Sequence, residues 1–164
     1  MSEPFKLSTF IPELDTPFVF NKRPIAIAAD LRPEWRIGVT LLLLRICCRQ
    51  NRSSYGRLHL LSWAVRTEKT RANFLSTIEG TSQPDTLLVR IEPSLNRAVN
   101  LAIGEELLKN VKGDKIELTP KGLAMADTML AYKGLFEVEK AFFTRIRGVV
   151  TEELVGRLFR IGLD

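Results

Sequence analysis

The stretch from Leu87 to Lys133 constrains the fold more than any other. A short β-rich run, Thr86–Ile91, leads into Pro93-Ser94, and apolar residues then recur at helical spacing: Leu95, Val99, Ala102, Ile103 and Leu107. Val111–Leu118 follows as a hairpin with Gly113-Asp114 at its tip, two residue types that tolerate the φ values of a tight turn. Ile116 and Leu118 share one face of the second strand. Thr119 then stands as an N-cap before Pro120, a residue suited to the first helical position, and opens another helix.

Helix, hairpin, helix in this order predicts a winged-helix unit within a mainly α (α+β) chain. The expected organisation is an extended, Pro- and Phe-rich segment at 1–33, a winged-helix core at 34–133 and C-terminal helices at 134–164 that pack on the core or on a partner. Five prolines in residues 1–33 exclude a long helix there, yet Phe5, Phe10, Phe18 and Phe20 demand burial. Ile25–Ala29 reads as a short strand. Glu34–Arg49 is apolar nearly all round, the pattern of a core helix. Further helices are expected at Tyr55–Arg66 behind a Ser54 cap, at Lys69–Ile78, at Gly122–Tyr132 and at Phe136–Arg147. A last helix opens at Thr151 with part of a capping box.

Composition narrows the chemistry. No apolar run approaches the roughly 20 residues of a bilayer span, and the first residues lack a secretory pattern, so a cytoplasmic location is expected. Cys47 and Cys48 are adjacent in a helical stretch and read as two buried, reduced thiols. His59, the single histidine, lies among leucines and reads as a core or boundary residue. No zinc ligand set and no phosphate-cradling glycine loop is present, so no cofactor, no small-molecule ligand and no catalytic residue is expected.

Charge is unevenly spread in this chain of net charge +5. From Arg45 to Ala72 stand seven basic residues, Arg45, Arg49, Arg52 and Arg57 among them, against the single acid Glu68. This is the region expected to meet a polyanion. The helix before the hairpin offers Asn96, Arg97, Asn100, Lys109 and Asn110, and the hairpin adds Lys112 and Lys115, types that read base edges or phosphates. Glu105, Glu106 and Asp114 oppose them, which disfavours sequence-specific binding by that face.

Three stretches carry a family resemblance: Gly56-Arg-Leu-His-Leu-Leu-Ser-Trp-Ala-Val-Arg66, Val89-Arg-Ile-Glu-Pro-Ser-Leu-Asn-Arg-Ala98 and Leu118-Thr-Pro-Lys-Gly122. With the aromatic N-terminal segment and the helix through Trp35–Cys48, the chain resembles the small middle component of bacterial three-component ABC defence systems of the Lamassu type. The resemblance implies a non-catalytic accessory subunit that assembles an SMC/Rad50-like ATPase with an effector protein, a nuclease in many cases. Non-specific DNA contact is compatible with that role. The protein-interface anchors expected on this reading are Phe5, Phe10, Phe18 and Phe20 at one end, and Phe142, Phe143, Ile146, Leu158 and Phe159 at the other. The alternative is a dimeric winged-helix transcriptional regulator.

Overall fold

The computed structural model describes residues 32–81 and 92–161, with seven α-helices and three short strands. Residues 1–31 of the expected 1–33 segment, with the four phenylalanines and the Ile25–Ala29 strand, lie outside the described residues, as does the Thr86–Ile91 run. In chain order the elements are α1 (Pro33–Cys47), a 3-10 turn (Arg49–Asn51), β1 (Arg52–Ser54), α2 (Tyr55–Val65) and α3 (Glu68–Ile78). They continue as α4 (Pro93–Gly104), β2 (Leu108–Val111), β3 (Lys115–Leu118), α5 (Pro120–Ala131), α6 (Glu137–Ile146) and α7 (Glu152–Ile161). The fold is mainly helical with one small antiparallel sheet of order β1-β3-β2.

Local chemistry explains most boundaries. Ser54 caps α2 by accepting the Arg57 amide hydrogen at 3.2 Å, and Thr119 caps α5 by accepting that of Gly122 at 3.0 Å. Thr67 and Thr70 close a reciprocal capping box at the start of α3. Gly113 and Asp114 both take positive φ, 82° and 53°, as a tight β2–β3 turn requires. Other boundaries differ from expectation. Helix α4 stops at Gly104 and β2 starts at Leu108, ahead of the expected Val111, so Lys109 and Asn110 stand on a strand and not on the helix. Helix α1 ends at Cys47, two residues early, because Cys48 is extended and Gln50 and Asn51 turn left-handed, at φ 56° and 54°. Arg52–Ser54, just ahead of α2, is a strand: it pairs antiparallel with β3, Ser53 opposite Ile116.

Helix α1 is the central pillar. Val39, Leu41, Leu42, Leu43 and Leu44 are all buried, with α5, α4, α6 and α2 packed around them. A helix apolar on all sides is stable only when covered on all sides, and here four helices cover it. No described helix is long and apolar enough to cross a membrane.

The C-terminal helices complete this core, which corrects their expected role as docking anchors. Phe142, Phe143, Ile146 and Leu158 are buried in the same cluster as the leucines of α1. Phe142 meets Phe74 of α3 edge-on at 6.2 Å, and the Phe143 carbonyl accepts from the Cys47 thiol at 3.5 Å. Side chains already buried within their own chain offer no area to a partner. The Phe159 side chain lies outside the described residues.

A candidate anion-binding cleft

The left-handed residues Gln50 and Asn51 reverse the chain between α1 and β1 and set Arg49 and Arg52 on either side of the turn. Strand β3 brings Lys115 beside Ser54 through their paired register. Helix α7 closes the far side: the Glu152 carboxylate accepts from the Ser54 hydroxyl at 2.6 Å and from the Ser54 amide at 3.2 Å. Between these segments lies a cleft of about 760 Å³ lined by Arg49, Arg52, Arg57, Lys115 and Glu152, with Cys47 and Thr151 among its other walls.

Four cations thus share one concavity with one carboxylate. Among the described residues none of the four stands in an ion pair, whereas Arg36, Arg45, Arg66, Lys109, Lys140 and Arg145 all do. Unpaired cations facing a common space raise its potential more than the same charges neutralised along a surface.

The four are not equivalent. Arg49 and Arg52 are exposed, and Lys115 is half-buried. Arg57 is 8% exposed, which corrects its expected place as a surface contact. Its Nη2 donates to the Cys47 carbonyl at 2.8 Å, answering one of the carbonyls left without a helical partner at the end of α1. A cation at a helix C-terminus also suits the helix dipole. Its Nε is buried without a partner. The Cys47 thiol, desolvated by burial and lying beside Cys48, has its pKa pushed up to about 12, and burial raises that of Cys48 as well. Both thiols are therefore held protonated and inert at neutral pH.

The other expected contacts lie elsewhere. Arg45 pairs with Asp127 of α5 at 2.7 Å. Arg97 and Lys112 are exposed, on α4 and at the hairpin turn, and do not line the cleft. Of the remaining base-reading candidates, Lys109 pairs with Glu117 at 2.9 Å and Asn110 accepts from the Tyr55 hydroxyl at 3.4 Å. Asn96 is engaged with His59.

That last contact belongs to a second polar cluster, centred on Glu92 at the N-cap of α4. Arg36 of α1 donates to Glu92 Oε2 at 2.7 Å, and Arg66 at the end of α2 donates to Oε1. The Glu92 amide donates to His59 Nδ1 at 3.4 Å. A backbone amide only donates, so Nδ1 is the bare nitrogen and Nε2 carries its hydrogen to Asn96 Oδ1 at 3.1 Å. Burial pulls the His59 pKa below its usual 6.5, outweighing the Asn96 hydrogen bond and the Glu92 charge, which raise it. A depressed folded pKa contributes stability that is whole above the unfolded value and is lost as pH falls through 6.5 toward the folded pKa. Unfolding free energy should therefore decline as pH falls below about 7, and His59→Gln should flatten that decline. Urea titrations across the range check it; an unchanged slope in the variant would refute it.

Glu152 and the 148–151 loop were not expected at the site. Thr151 was legible as a cap, and its hydroxyl does accept from the Leu154 amide at 3.2 Å. Nothing local announces that this helix start lies against Ser54. Comparison of the chain with family models, with curated proteins and with solved structures gives no match.

Proposed function

We propose that the protein is a non-catalytic accessory subunit that holds nucleic-acid phosphates in the Arg49–Arg52–Lys115 cleft. The observation that carries this reading is the convergence of unpaired cations from the turn after α1, from β1 and from β3 on one concavity. The element order supports a winged-helix scaffold: a first helix, a short strand, further helices, then a hairpin whose second strand lies between the other two. On this scaffold α4 is the helix before the wing and the β2–β3 hairpin is the wing. The family resemblance supplies the partners, an SMC-like ATPase and an effector, in an anti-phage or anti-plasmid complex. The buried, protonated Cys47 thiol in the cleft wall accords with a binding role rather than nucleophilic chemistry.

Phosphate contacts of this kind carry no base code, so binding is non-specific and steeply salt-dependent. Arg49→Glu with Arg52→Glu should weaken binding of the protein to duplex DNA at least about tenfold at low salt, and lower the salt slope by about 1 for each phosphate no longer neutralised. Arg97→Glu with Lys112→Glu should do less. A gel-shift salt titration compares the two. If the second pair instead abolishes sequence-selective binding, the face of α4 is the reading surface, and the protein is a transcriptional regulator.

A further inference from the structure

The connection from α5 to α6 carries apolar surface that the core does not use. Tyr132 is 67% exposed, Val138 54% and Leu135 37%, all within one short stretch of chain. One such side chain in solvent is ordinary; three in a single connection form a patch. The connection is also held in shape. The Gly134 amide donates to Glu137 Oε1 at 2.9 Å, and Lys140 Nζ donates to the Tyr132 carbonyl at 2.8 Å. Phe136 takes a left-handed backbone at φ 54°. Its ring lies so close over Gly38 of α1 that a methyl group there would stand 2.7 Å from it. Strain of this kind persists only where the surroundings fix it.

Beside this corner stands the start of α1. The Trp35 indole donates to Glu139, in the first turn of α6, at 3.2 Å. Residues 1–31 therefore join the described chain next to the patch, through Arg32. They bring apolar bulk of their own: Ile27 and Ile25 are 6 and 8 residues ahead of Pro33, and Phe20 and Phe18 are 13 and 15 ahead. Chain of those lengths spans up to roughly 20 to 50 Å when extended, so all four side chains can reach the corner. A tether this short also gives the segment an effective concentration on the order of millimolar there. A contact too weak to hold a separate protein is then enough, and both apolar surfaces leave water together.

We propose that residues 18–27 of the same chain cover the 132–138 corner. Phe18 and Phe20 then serve as cover for the chain's own surface and not as anchors for a partner.

The test is limited trypsin digestion of the full chain, read by mass. Lys22 is the reporter, because Arg23 precedes Pro24 and resists the protease. Arg147, exposed at the other end of α6 beside the cleft, is the internal reference. Tyr132→Asp with Val138→Asp changes only exposed positions and should speed the Lys22 cut at least about tenfold relative to Arg147, the scale of one buried apolar side chain. Phe18→Ser with Phe20→Ser should speed it as much, and serves alone if the aspartates disturb the melt. Combining the two pairs should add little, because each removes the same contact. Digests at two protein concentrations, beside light scattering, identify whose corner is covered. A Lys22 cut as fast in the parent as in the variants overturns the proposal and leaves the corner open to a separate partner. A slow cut that the aspartate pair leaves slow also overturns it, since the segment then lies elsewhere. Protection that is lost on dilution, with a dimer in scattering, means that the segment covers a second copy, and overturns the same-chain contact.

Discussion

Gly122→Ala should destabilise the protein by at least about 3 kcal/mol, at the upper end of what overpacking costs. A methyl group at Gly122 would stand 2.0 Å from the Leu107 carbonyl oxygen and 2.9 Å from its carbon. Both are main-chain atoms, so no side chain can swing aside. Neither partner is free to retreat. The Thr119 amide donates to Leu107 O at 3.1 Å, and its hydroxyl donates to Glu106 O at 2.5 Å. Lys121 Nζ donates to Glu105 O at 2.7 Å, and the Leu107 amide is itself held by Ala102 O at 2.8 Å. The first turn of α5 is thus stapled to the chain between α4 and β2, and the added carbon must break the staple. Gly104→Ala provides the contrast. No atom lies within 4 Å of a methyl group there, and the residue closes α4 with ordinary backbone. Alanine should stabilise that site, by up to about 1 kcal/mol. Chemical denaturation of the two variants beside the parent decides the matter. A Gly122→Ala protein within about 1 kcal/mol of the parent would mean that the α5–Leu107 contact yields easily.

Much of this architecture was legible because local chemistry dictates it. Gly113-Asp114, Thr119-Pro120, Ser54 and Thr151 each declare a turn or a helix start through their own backbone preferences, and each stands where expected. The apolar face of α6 was legible too, but a periodic face says only that something covers it. Phe142 and Phe143 are covered by their own chain, through Phe74 and α1. Strand β1 was invisible because Arg52-Ser-Ser54 is three polar residues with no alternation; only its long-range pairing with β3 makes it a strand. The cleft was half-legible. The density of arginines at 45–57 marked its neighbourhood, but Lys115 and Glu152 arrive from distant segments. The sinking of Arg57 follows from the left-handed Gln50 and Asn51, which bring the end of α1 over α2.

Glu92→Ala is the second large loss expected, about 3 kcal/mol or more, because it strands a charge rather than because it deletes an attraction. Arg36 is 4% exposed and has Glu92 as its ion-pair partner at 2.7 Å. Its Nε is already buried without an acceptor. Without Glu92, a guanidinium inside the α1 core keeps its desolvation penalty and loses the Coulomb attraction that offsets it. Arg66, the second arginine on the same carboxylate, is 34% exposed and can be solvated in place, so it contributes less to the loss. The same carboxyl group sits at the N-cap of α4, between α1 and the end of α2, so its removal also loosens the helix before the hairpin. The stranded-charge account makes a sharp demand on the double variant. Arg36→Met removes the buried charge and fills its space with an apolar chain, so Glu92→Ala combined with Arg36→Met should recover most of the stability that Glu92→Ala alone removes. The coupling in a double-mutant cycle should be at least about 1.5 kcal/mol, within the range for residues in one network. Urea denaturation of the four proteins measures it. If the two single losses simply add, the pair holds no buried charge in check, and α4 is anchored by packing alone.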